Sequence, residues 1–360
     1  MTPASRPDTG RSISPDSGQH WTEPGAWPVA DGVHRIPLPL PMDGLKAVNV
    51  YAIETEHGLT LVDGGWAIEE GRTLLEKSLR DRGFALSDIT RFLVTHVHRD
   101  HYTLASVIGR EYGAHVSLGL GDKPTLDLMH NAGDVDEDPT VGVLRSAGAL
   151  DIAQEWLKFS DGKRPDLSMW GYPDTWLEVD HPVEIGTRTL DAVHTPGHTQ
   201  GHFVFADRPS GLLFAGDHVL PTITPSIGFE PVPVAQPLGD FLGSLTKVRG
   251  LPDLRLLPAH GPVAPSSHER IDQLLTHHEV RLERCLDAIR TRPGTGYDVA
   301  GQLPWTRHEH SLADLDVFNA ALASMETKAH LELLVARGLA RREDTDAGVV
   351  FTPVAGTASG

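Results

Sequence analysis

The chain reads as an α/β protein of packed layers, in which two β-rich halves are interleaved with helices and followed by a helical tail. Three observations predict this. Short apolar strands bounded by turn residues recur before residue 122 and again after residue 176. Helical periodicity separates them, with Leu74, Leu75 and Leu79 on one face of a segment from Ile68 to about Arg82 that Gly83 terminates. Beyond Pro265 the strand rhythm stops and apolar residues recur at helical spacing instead.

Residues 1–25 are rich in Ser, Pro, Asp and Gly and lack the apolar run of a secretory signal, so a disordered lead-in is expected there. From Gly32, strands over Val33–Leu40, Val48–Glu54 and Leu59–Asp63 form a meander, with His57-Gly58 as a tight connection. A strand over Arg91–Thr95 runs directly into His96, and a second helix starts near Asp100. Residues 122–176 break the rhythm with helical and loop-like sequence carrying Met129, Trp156, Trp170, Tyr172 and Trp176, which reads as a helical insertion or lid over the site. Strands return at Val183–Val193, Phe203–Ala206, Leu212–Ala215 and Leu254–Leu257. The main domain is thus expected over residues 26–264. In residues 265–360, a helix from Ser267 to about Arg290 precedes one carrying Leu322, Met325, Ala329, Leu333 and Ala336 on one face. A hairpin turning at Asp346-Ala347-Gly348 completes an order similar to a winged helix.

Composition narrows the function. The 360 residues are 39% apolar and 22% charged, an ordinary globular balance. Lys and Arg number 31 against 49 Asp and Glu, and the resulting −18 is the wrong sign for phosphate backbones or anionic membranes. Residues 264–360 carry ten Lys and Arg against fourteen Asp and Glu, so a wing-like tail there lacks the usual phosphate-driven attraction. Nucleic acid and membrane partners are therefore not expected. No apolar run approaches the ~18 residues of a membrane span, and the cytoplasm is the expected location. The single cysteine, Cys285, excludes an internal disulfide framework and any zinc site of several thiolates. Metal ligands would have to be histidines and carboxylates.

Such ligands crowd one segment. Thr95-His96-Val97-His98-Arg99-Asp100-His101 places four donors within six residues at a strand-to-helix loop. Histidines one residue apart point the same way on extended backbone, so His96 and His98 can share one metal. Asp100 and His101 follow where the chain turns and can serve a second position. Three further segments set a His or Asp at a strand end beside Gly or Pro: Thr195-Pro196-Gly197-His198-Thr199-Gln200-Gly201-His202, Ala215-Gly216-Asp217-His218 and Pro258-Ala259-His260-Gly261. Imidazole and carboxylate suit zinc, iron or manganese.

In order and spacing these four segments resemble the metallo-β-lactamase superfamily, most of all its glyoxalase II-like branch, over about Gly32 to Val263. The resemblance implies an αββα sandwich and two zinc ions per chain, with manganese or iron as alternatives. It assigns His96, His98 and His198 to the first ion, Asp100, His101 and His260 to the second, and Asp217 to both. His194, His202 and His218 would then support ligands or structure. Two departures matter. Tyr102-Thr103-Leu104 follows the first cluster where many members have glycines, which changes the pocket wall. Asp217 stands where cysteine-containing β-lactamases use a thiolate, which disfavours antibiotic hydrolysis. The tail looks like the winged-helix domain of β-lactamase-like thioesterases and endoribonucleases, not the glutathione-binding domain of glyoxalase II.

The implied chemistry is hydrolysis of a thioester, activated ester or lactone by a metal-bridging hydroxide. Two ions about 3.5–4 Å apart lower the pKa of water from about 15.7 to roughly 7, and Asp100 would orient the hydroxide or move its proton. Phosphodiester cleavage by an endoribonuclease-like enzyme and oxidation of a sulfur compound at a single iron are the alternatives. The expected substrate is a small or carrier-bound acyl compound, met by Tyr102, Met129, Trp170 and Tyr172 and by Ile223 and Phe229 of the loop after Asp217. A homodimer is a further expectation.

Overall fold

Strands form where β-branched and aromatic residues run between turns. The computed structural model describes residues 12–41, 44–131, 138–159, 166–305 and 310–354. A small hairpin, β1 (Ile13–Ser14) and β2 (Gln19–His20), precedes a meander of β3 (Trp27–Ala30), β4 (Val33–Pro39), β5 (Ala47–Thr55) and β6 (Gly58–Val62). Helix α1 (Glu69–Arg80) leads to β7 (Ile89–Leu93), and α2 (Arg99–Tyr112) to β8 (His115–Gly119). After α3 (Lys123–His130), α4 (Pro139–Ser146) and α5 (Leu150–Phe159), the chain rejoins this sheet as β9 (Thr175–Leu177). The seven strands lie in the order β3 to β9, antiparallel as far as β6 and parallel thereafter.

The second sheet comprises β10 (His181–Ile185), β11 (Arg188–His194), β12 (Phe203–Asp207), β13 (Leu212–Gly216) and β14 (Arg255–Pro258). Its last two strands are parallel because α6 (Pro237–Arg249) crosses between them. Val62, Leu93, Phe205 and Phe214 fill the space between the sheets. Leu75, Leu79, Leu104 and Ile108 of α1 and α2 cover the outer face of the first sheet. Phe241 and Leu245 of α6, with Ile271 and Leu274 of α7 (Ser267–Thr291), cover the second. The architecture is an αββα sandwich, as the sequence predicts.

The C-terminal region continues from α7 through α8 (Gly296–Ala300) and α9 (Val317–Ala336) to the hairpin of β15 (Ala340–Thr345) and β16 (Gly348–Pro353). The single apolar face expected of α9 is corrected. Ala320, Met325, Ala329, Leu331 and Leu334 are buried around the helix, Leu322 is half-buried and Ala336 is exposed. The reason is that α9 packs against α4, α5, α6, α7 and α8 at once. The insertion meets it there, with Val141, Leu144, Ala153 and Trp156 sharing an apolar cluster with Ala321 and Met325.

Other elements escape the sequence pattern. β3, β8, β9 and α6 are additional, and the stretch 183–193 is two strands joined at Gly186. The disordered lead-in is corrected from residue 12 onward. Arg35 lies on β4 among apolar neighbours, and its buried guanidinium needs a counter-charge. Asp16 supplies it at 2.9 Å, both side chains being fully buried, and β1–β2 holds Asp16 in place. Residues 1–11 lie outside the described residues. Among the described residues no helix is long and apolar enough to cross a membrane.

Candidate metal centre

The potential ligands sit where strands end at one rim of the sandwich. The chain leaves β7, passes Thr95 and His96, and enters α2 with His98 at the helix cap. The loop after β11 carries His198, and β13 ends one residue before Asp217. A tight approach makes that last end possible, because a Cβ on Gly216, whose φ is +50°, would lie 2.7 Å from His202 Nε2 and 2.8 Å from Thr95 Cβ. His260 follows β14. All seven donor residues of the sequence analysis are brought together here.

They form two groups. His96, His98, His198 and Asp217 are one, with ligand atoms within 4.8 Å of one another, and Asp100, His101 and His260 are the other. His98 Nδ1 lies 3.0 Å from His96 Nε2 and 3.1 Å from His198 Nε2. His260 Nε2 lies 3.4 Å from Asp100 Oδ2. Asp217 faces both groups, with Oδ2 3.4 Å from His198 Nε2 and Oδ1 3.4 Å from His260 Nε2.

Outer hydrogen bonds decide which nitrogens face inward. His198 Nδ1 donates to the Ser226 carbonyl at 2.8 Å and His260 Nδ1 to that of Ala47 at 2.7 Å. His101 Nδ1 donates to Asp63 at 2.9 Å. Thr95 gives its single hydroxyl hydrogen to Asp63, so at 3.0 Å it must accept from His96 Nδ1. Four Nε2 atoms are thus turned toward the centre. The unprotonated Nε2 atoms of His96 and His198 both face His98 Nδ1, which can give a proton to only one of them at a time, so the cluster is suited to a cation. Among the described residues His101 Nε2, His260 Nε2 and Asp217 Oδ1 are buried without a hydrogen-bond partner, which fits the same need.

The electrostatics agree. Burial and the neighbouring His198 push His98 down to about 3. For His101 burial acts downward, but the carboxylates of Asp100, Asp63 and Asp217 outweigh it and hold the ring at about 10. Burial would raise Asp100, yet His101 and His260 keep it well below the usual carboxylate range. Asp217 is lowered by the same kind of balance, against burial, by His260, His101 and His198. The pocket holds ionised carboxylates that demand positive charge.

Of the residues that aim these ligands, sequence reasoning names His202 but misses Asp63 and Asp122. Asp63, at φ 62°, grips both Thr95 and His101. Asp122 accepts from the backbone N–H of Val97 and of Gly201, each at 2.8 Å, and so ties two ligand loops together. His202 accepts from the Asp217 N–H at 3.2 Å. The buried ring of His218 packs on Phe241, and His194 bonds the Gln200 carbonyl. Asp63 carries one signal, the Gly64-Gly65 pair after a strand; Asp122 carries none.

A cavity of about 1320 Å³ opens beside His260, walled by the loop after Asp217 and by α7. Ile223 lines it. The wall does not include the other expected substrate residues. Phe229 packs between Trp156 and Phe318, bridging the insertion and α9. Tyr102 is fully buried with its hydroxyl donating to the Gly171 carbonyl, and Trp170 and Met129 pack on the core of the first sheet. Tyr172 stacks on His130 and donates to Asp127.

One pH effect follows from Glu230, which accepts from the Gln200 N–H beside His198. Burial, with the Asp122 charge behind it, pushes Glu230 up to about 8. A folded pKa above the unfolded one gives stability that is complete below about pH 4.5 and lost as pH rises through 8. Glu230→Gln should therefore match the parent in thermal melts near pH 4.5, become increasingly the more stable up to pH 8, and gain nothing further above it. A constant difference across pH would refute the assignment.

The metallo-beta-lactamase superfamily model matches residues 43–260. The chain belongs to this superfamily. A solved superfamily member from Thermus thermophilus is 26% identical and superposes with a TM-score of 0.75 over 91% of this chain and 100% of its own. Among curated superfamily relatives, the "Beta-lactamase-like protein 2 homolog" of Caenorhabditis elegans is 29% identical over 41% of this chain and 48% of its own length. The "Probable metallo-hydrolase YqjP" of Bacillus subtilis is 24% identical over 84% and 91%. The atrochrysone carboxyl ACP thioesterase of Paecilomyces divaricatus is 24% identical over 68% and 60%. The chain thus spans about half of the first of these relatives and most of the second.

Proposed function

We propose that this superfamily member is a dinuclear metal-dependent hydrolase of thioesters or related activated esters, lactones included. The carrying observation is Asp217, whose two carboxylate oxygens face two separate donor groups. His96, His98 and His198 would hold one ion, Asp100, His101 and His260 the other, and Asp217 both; zinc fits this donor set. Divalent ions bound there supply Lewis acidity and make coordinated water acidic near neutral pH. Asp100, kept ionised, presents Oδ2 beside His260 as an acceptor that can orient water or take its proton. Asp63, Thr95 and the Ala47 and Ser226 carbonyls fix the tautomers of His96, His101, His198 and His260, so these four rings need not reorient when metal binds.

Substrate class rests on two supports. One relative is named an ACP thioesterase. The cavity beside His260 is larger than the roughly 300–1,000 Å³ typical of small-ligand pockets, which suits an acyl group with a carrier arm. We also read the C-terminal helices and hairpin as a winged-helix-like domain, used to wall this cavity.

The test is thiol release from a panel of acyl thioesters by zinc- or manganese-loaded protein, chelator-stripped protein and a His98→Ala variant. Release by the loaded protein alone is expected. Equal release in all three would refute metal-dependent hydrolysis, and none from fully loaded protein would refute the thioester.

A further inference from the structure

The chain is strongly acidic, yet one wall of the cavity is basic. Arg270, His277, Arg281 and Arg284 are seven, four and three positions apart on α7, which sets them along one helix face, and all four line the cavity. Lys46 also lines it, at φ 68° on the turn before β5. Two lining acids oppose four Lys and Arg, and of these Asp272 is engaged by Arg249 at 2.9 Å, leaving Glu326 as the counter-charge.

The arginines are not equivalent. Arg270 donates to the Leu220 carbonyl at 2.6 Å and to that of Ile223 at 2.8 Å, bracing the loop after Asp217 at the metal end. Arg281 is buried; it lies 3.9 Å over the Trp305 ring and donates through Nη1 to the Pro304 carbonyl at 2.9 Å. Its Nη2 has no hydrogen-bond partner among the described residues. Exposed Arg284 and Lys46 make no ion pair among those residues. At 1.5 Å per residue Arg284 lies about 21 Å along α7 from Arg270. The unengaged guanidiniums of Arg281 and Arg284 are therefore displaced from the metal end, whereas Lys46, next to the Ala47 whose carbonyl holds His260, stays beside it.

We propose that Arg281 and Arg284 form a phosphate-binding subsite that holds the phosphorylated arm of the substrate while its acyl thioester lies at the metal centre. The inference rests on the thioester reading for its placement of the acyl group. A buried guanidinium with an unused N–H favours a dianionic phosphate, which takes several charge-assisted hydrogen bonds. The phosphate can come from coenzyme A or from the phosphopantetheine of a carrier protein.

Binding tests this without turnover. Calorimetric titration of the metal-loaded protein with 4′-phosphopantetheine and with pantetheine should show at least about tenfold tighter binding of the phosphorylated compound. Arg284→Glu, at an exposed position, should reduce the difference to within about twofold, and Arg281→Gln should do the same. Equal binding of the two compounds by the parent protein overturns the subsite, as does tighter binding of a short single-stranded RNA than of phosphopantetheine. Because no hydrolysis is read, a failed thiol-release assay beside retained phosphate preference would refute the reaction and leave the subsite standing. The source follows from kcat/KM of the charge-reversed variant: a loss on acyl-coenzyme A supports a nucleotide thioester, and a loss only on the acylated carrier supports the carrier. An equal loss on acyl-pantetheine, which has no phosphate, overturns the proposal.

Discussion

If the centre holds two ions and cleaves thioesters as proposed, Asp217→Ala should lower bound metal from two ions per chain to at most one and reduce hydrolysis at least about 10³-fold. Both losses share one cause. The carboxylate presents one oxygen to each donor group, 3.4 Å from His198 on one side and from His260 on the other. Without it, three histidines remain for one ion and Asp100, His101 and His260 for the other, and the link between them is gone. Elemental analysis of the purified variant reads the first effect and thiol release the second. Circular dichroism should stay close to that of the parent, since Gly216 and the His202 contact to the 217 backbone N–H are retained. Two ions and undiminished hydrolysis would remove Asp217 from the centre of the mechanism.

Arg35→Met should cost about 3–5 kcal/mol of folding stability, because it leaves a buried carboxylate without its counter-charge. Asp16 and Arg35 are both fully buried. Arg35 also donates to the Trp21 carbonyl at 2.6 Å and to Asn49 Oδ1 at 2.9 Å. Asn49 in turn donates to the carbonyls of Pro258 and Gly261, on either side of His260. Urea denaturation should show the loss, and the double change with Asp16→Leu should recover part of it, since no charge is then left buried alone. A cost below about 1 kcal/mol would mean that water reaches Asp16 in the folded protein.

The donor set was legible because metal chemistry concentrates itself in sequence. Four donors between His96 and His101, and three more at Gly- or Pro-flanked strand ends, form a pattern that chance composition rarely makes. The residues that aim those donors have no such pattern. Asp63, Thr95, Asp122 and Asn49 are single polar side chains whose use arises only when distant loops approach, and nothing near Asp122 in the chain announces Gly201. The same distinction holds for the fold. Period-two and helical patterns locate the main strands and α1. They fail for α9, where five helices pack against it and bury more than one face, and for β1–β2, whose anchor Arg35 hides in a strand that otherwise reads as apolar. Aromatic residues do not announce their use, because Trp170 of the insertion and Tyr102 of α2 look alike in sequence whether they line a cleft or fill a core.

The clamp between Asn49 and the His260 turn also sets an order of events during synthesis. Asn49 and Tyr51 leave the ribosome about 200 residues before Pro258 and Gly261, which at roughly 5–20 residues per second is an interval of about 10–40 s. Through that time the first meander carries polar side chains whose carbonyl partners do not yet exist, and the Ser14 hydroxyl waits in the same way for the Val263 N–H. The rim of the nascent sandwich thus stays open until its last strand emerges. His260 arrives on that same turn, so closing the rim and completing the second donor group, Asp100, His101 and His260, are one step.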